Sequence, residues 1–146
     1  MSDGATPKLK EFARRLLRFE AVSSKSAGAD DFAAFRTCEK LGGPLGKLMG
    51  PGGYRALLSR ALSLAGADAP WLGKLFLKED SSLEGFAAVR KELGSKAITE
   101  GEVALVAQLL GLLVTFIGPA LTLGLVQEGW PKADFNDLDF GTNEKP

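Results

Sequence analysis

The side chains able to do chemistry in this chain are few, and they exclude more than they suggest. The 146 residues contain no histidine, which removes the commonest general acid/base and the commonest metal ligand. Ser-His-Asp and Cys-His catalysis are closed to it. The single cysteine, Cys38, rules out an internal disulfide and a zinc site built on several thiolates. Carboxylates, lysines, serines and Tyr54 remain for proton transfer, but no pair of them stands at a motif spacing. The carboxylates show no calcium-loop spacing either. No catalytic residue, metal site or cofactor is expected.

One glycine-rich stretch invites comparison with a phosphate-binding loop: Gly42, Gly43, Pro44, Leu45, Gly46, Lys47 and Leu48. It has three residues between Gly42 and Gly46 where the motif needs four. Leu48 also stands where a hydroxyl would hold magnesium. A break between helices is the reading these glycines support.

Binding chemistry is more visible. Lys8, Lys10, Arg14, Arg15 and Arg18 make the first helical segment basic, and such a helix can dock on an acidic partner or an anionic membrane surface. At the other end, Phe135, Leu138 and Phe140 alternate with Asp134, Asp137 and Asp139, a pattern that can lie in a groove or add as a strand to a partner. Each has a plainer reading. The first is an ordinary surface helix, and the second is a tail folded back on its own domain or a loose terminus. The eight residues Lys8, Lys10, Arg14, Arg15, Arg18, Phe135, Leu138 and Phe140 are the candidate partner-binding set.

The elements that must position these residues follow from hydrophobic spacing. Pro7 opens a helix in which Leu9, Phe12, Ala13, Leu16 and Leu17 share one face to about Glu20. After a Ser/Ala/Gly-rich loop, Phe32, Phe35, Cys38 and Leu41 form the stripe of a second helix, ending at Gly42 and Gly43. Cys38 lies in that stripe, so it reads as a small buried hydrophobe. Residues 44–49 form a short helical turn, Gly50 to Gly53 break the chain, and a third helix runs from Tyr54 to about Gly66. Residues 71–86 are open between strand and helix. The reading preferred is a short hairpin followed by a helix over about 83–93, although Ser81 and Glu84 have capping-box spacing.

Thr99 and Glu102 also have capping-box spacing, and the run 103–126, VALVAQLLGLLVTFIGPALTLGLV, carries no charge. Its length suffices to span a bilayer. It also suits the central helix of a bundle, since a helix apolar nearly all round is buried in protein or in lipid. A third possibility is two helices broken near Gly118 and Pro119. The flanking charges set no membrane orientation, because the nearest basic residues are Lys96 and Lys132.

Net charge is zero, with 18 basic and 18 acidic residues, so no specific nucleic-acid partner is expected. The halves differ, however: residues 1–60 hold 11 basic and 6 acidic side chains, and residues 61–146 hold 7 and 12. That polarity suits a protein partner or a homo-oligomer. The expected fold is mainly α, a compact helical bundle around a long apolar helix at about 100–128. Residues 1–132 form the domain and 133–146 an acidic-aromatic tail. The expected function is a non-catalytic interaction or adaptor subunit in the cytoplasm, since the first residues lack a signal peptide's apolar core. The alternative is a small membrane protein spanning at 103–126, and an enzyme of unrecognised type comes third.

Overall fold

A computed structural model describes residues 7–23, 33–79 and 83–130. Helix α1 (Pro7–Ser23) begins at its proline and buries Leu9, Phe12, Ala13, Leu16 and Leu17. Helix α2 (Ala33–Ala65) is bent at Gly50. A 3-10 helix (Pro70–Lys74) leads to strands β1 (Phe76–Leu77) and β2 (Leu83–Glu84), which pair antiparallel with Leu77 opposite Leu83. Helix α3 (Phe86–Glu92) follows, then α4 (Ser95–Ile117) and α5 (Pro119–Gly129).

The expected bundle around an apolar C-terminal helix is what forms. Helix α4 is the axis, with α1 and α2 laid against it and α5 folded back on α4 and α2. Residues 103–111 are buried on every face. That is why this stretch shows no polar stripe: every direction around the helix meets another helix. Leu105, Leu109, Leu110 and Leu113 share one fully buried cluster with Phe12, Leu16, Leu41, Leu45 and Leu58.

Both sharp breaks in the apolar helices use one device. Gly50 has φ 81 and ψ 156, and Gly118 has φ 90 and ψ 158. Each precedes a proline that opens the next helical stretch, Pro51 and Pro119. A residue before proline is pushed out of the helical region toward extended ψ. Positive φ combined with that ψ is open essentially only to glycine. At these two sites the Gly-Pro pair ends one helical stretch and starts the next in two residues, whereas Gly43, also before a proline, stays helical.

Three local expectations are corrected. Gly42 and Gly43 do not end the second helix, which continues to Gly50 without another non-helical residue. Gly42 instead leaves room for the Tyr54 ring, which a Cβ there would approach to 2.8 Å, and the Tyr54 hydroxyl donates to the Cys38 carbonyl at 2.7 Å. Tertiary packing outweighs the poor helix propensity of these glycines. Thr99 does not cap α4, because the helix starts a turn earlier at Ser95. Glu102 projects sideways and accepts the Ala34 backbone N–H at 3.2 Å, capping the first turn of α2 from another helix. Glu84 lies in β2, and α3 begins after Gly85, whose φ is 100.

Candidate interaction surfaces

The five cations of α1 do not share one face. At 3.6 residues per turn, Lys10 lies on one flank of the buried stripe and Lys8 and Arg15 on the other, while Arg14 and Arg18 step round to the face opposite it. Arg14 and Arg18 are exposed. Lys10 pairs with Asp68 at 3.4 Å, across from the loop that follows α2. Between this flank and the start of α4 lies a cleft of about 350 Å³ lined by Lys10, Arg14, Asp68, Thr99, Glu100, Val103 and Ala104. Val103 and Ala104 are buried and form its floor, while the rim carries both signs of charge. Lys10 and Arg14 are thus brought into one site, and Arg18 continues the same stripe one turn further. Phe135, Leu138 and Phe140 lie outside the described residues.

At the other end of α1 the apolar stripe closes on a charge. Glu20 is 2% exposed. Its Oε1 accepts from Lys40 at 2.8 Å and from the Trp130 indole N–H at 3.0 Å, and its Oε2 accepts from Arg36 at 3.1 Å. Lys40 also lies 5.1 Å from the Trp130 ring centroid, within cation–π range. Burial pushes the Glu20 carboxyl up, but the bonds from Lys40, Trp130 and Arg36 outweigh it and hold the group below its ordinary value. This clasp ties α1, α2 and the end of α5 together. Trp130 is therefore buried at a helix junction.

A third surface is apolar. Phe116 is 67% exposed and Leu121 48% exposed, with Pro119 and Ala120 exposed between them. They sit where α4 turns into α5. Because that corner is part of the charge-free run 103–126, sequence spacing does not distinguish it from the core. Glu20 did leave a signal: it stands on the buried face of α1, four residues after Leu16, where a carboxylate needs partners.

Reactive groups are closed off. Cys38 is fully buried, and burial, with Glu39 nearby, pushes its thiol up to about 12. Tyr54 is pushed up by burial as well. Neither is poised as a nucleophile or base. Among the described residues no group of acidic and cysteine side chains could hold a metal ion.

No protein-family model, curated protein or solved structure matches the chain. Function is therefore inferred from these surfaces alone.

Proposed function

We propose that this chain is a non-catalytic interaction subunit of the cytoplasm. It would dock a protein partner at the α4–α5 corner, with the basic flank of α1 as a second contact. The exposure of Phe116 and Leu121 carries the reading. Large apolar side chains left in water beside a closely packed core are typical of docking surfaces. Aromatic residues at the centre of such patches commonly carry much of the binding energy. Arg14 and Arg18, which enter no ion pair among the described residues, would steer an acidic partner into register.

The test is affinity purification of the full chain beside the double variant Phe116→Asp and Leu121→Asp. A partner retained in defined stoichiometry by the first and lost from the second, with circular dichroism unchanged, supports the reading. Equal retention by both removes the corner from it.

One observation favours the membrane alternative. Among the described residues, α4 is the one helix long and apolar enough to cross a bilayer, with mean hydropathy 1.7. Against it stand the 61% of its most apolar 18-residue window buried within the fold and the break at Gly118 that divides the apolar run.

A further inference from the structure

We infer that the bends at Gly50 and Gly118 lie at one end of the bundle and together form a docking surface for a partner segment whose apolar side chains are flanked by carboxylates. This rests on the reading of the α4–α5 corner as a docking site and names the chemistry it takes.

The position of the two bends follows from one contact. Lys40 of α2 lies against Gly129 of α5, where a Cβ on the glycine would stand 3.8 Å from the lysine Cβ. Gly50 is ten residues along α2 from Lys40, and Gly118 is eleven residues back along α5 from Gly129, roughly 15 and 17 Å of helix. Both run the same way. The start of α2 is fixed at Glu102, which holds the Ala34 amide, and Gly118 lies roughly 24 Å along α4 from there. Were α2 to leave Glu102 in the other direction, Lys40 would stand roughly 33 Å from Gly118, about twice what α5 spans. After Gly50 the chain returns to the same base, where Asp68 lines the cleft with Thr99 and Val103.

The two bends are apolar, and the charges on them are of one sign. Leu48, just before Gly50, is 56% exposed, and the exposed Phe116 and Leu121 flank Gly118. No carboxylate lies between Glu39 and Asp68 or between Glu102 and Glu128. Lys47 is exposed and enters no ion pair among the described residues. Arg55 donates to the backbone carbonyls of Lys78 and Leu77 at 2.8 and 2.9 Å, which orient its guanidinium without neutralising it. Lys78 is already paired with Glu84. Apolar anchors ringed by carboxylates complement this end in both respects. A second copy would bring like charges together. An anionic bilayer is recognised by clusters of about four to eight cations, more than Lys47 and Arg55 supply.

The test uses the isotope-labelled full chain and two synthetic helical peptides that share one Leu/Phe stripe, flanked in one by glutamates and in the other by lysines. The glutamate peptide should shift the amides of Lys47 and Leu48 together with those of Phe116 and Leu121. It should bind about tenfold more tightly than the lysine peptide. Lys47→Glu should reduce that preference, and Leu48→Ser should weaken the glutamate peptide about tenfold. A nitroxide at Lys47→Cys, with the buried Cys38 unlabelled, should broaden the amides of Ile117 and Ala120 and spare Thr99. Broadening of Thr99 alone overturns the shared end. Equal binding of the two peptides, or binding of neither, overturns the proposal. So does a dimer that Leu48→Ser disrupts, which assigns the end to a second copy, or sedimentation with phosphatidylserine vesicles without peptide binding, which assigns it to lipid. Shifts confined to Phe116 and Leu121 overturn the joint surface and leave the α4–α5 corner as a docking site. A captured partner lost with Phe116→Asp and Leu121→Asp, when neither peptide binds, leaves that corner standing with a different partner chemistry.

Discussion

At the scale of single residues, Glu20 holds the most consequential side-chain position in the molecule. A buried carboxylate is tolerated only when its lone pairs are filled, and here three donors from two other elements fill them. Removing it strands two cations at a helix junction. Glu20→Ala should cost about 3–5 kcal/mol in urea unfolding near pH 7. Because the folded carboxyl lies below its ordinary value of 4.5, its contribution is present above the unfolded value and is lost as pH falls through the folded one. The gap between wild type and Glu20→Gln should therefore narrow as the pH falls below that ordinary value. A gap that is constant across that range would mean the charge is not what the site uses.

At the scale of elements, the lesson comes from the glycines. Gly42 and Gly43 resemble a helix end as much as Gly50 does, yet only Gly50 is one. A following proline does not separate them, since Gly43 also precedes one, Pro44, and stays helical; what marks Gly50 is its backbone, at φ 81 and ψ 156. Sequence reading marks the break at Gly50 and offers the one near Gly118 and Pro119 as one of three readings of the apolar run. It misplaces the Gly42 break because the room that glycine provides is used by Tyr54, which is distant in helical register and invisible to local spacing. Thr99 and Glu102 fail in the same way: a correct local motif is overruled by a long-range partner, the amide of Ala34. Gly118→Ala should cost about 1–3 kcal/mol, since its φ of 90 and ψ of 158 suit glycine alone. It should lower the thermal midpoint by several degrees. Gly124→Ala, an exposed helical position with open space around it, should be neutral or slightly stabilising. Equal effects at the two sites would show that the Gly118 bend is not required.

At the scale of the whole molecule, the class of fold and its axis are legible in composition and spacing. Whether the axis is wrapped by protein or by lipid is not, because a helix buried on all faces has the same sequence in both. The packing of α1, α2 and α5 around α4, which buries 61% of its most apolar window within the fold, favours protein. Leu113 is fully buried and Phe116, three residues on, stands in solvent. An aspartate at Leu113 should unfold the domain at a cost of several kcal/mol. The same change at Phe116 should leave thermal unfolding within about 0.5 kcal/mol. A bilayer span would penalise both, since each lies well inside the apolar run.

The central proposal is that α4 is the core of a water-soluble bundle with a docking corner. The most direct measurement is expression of the full chain without detergent, a high-speed spin, and light scattering of the supernatant on a sizing column. The account predicts a discrete peak of defined mass from the supernatant. Recovery from the membrane fraction alone, and only with detergent, would contradict it.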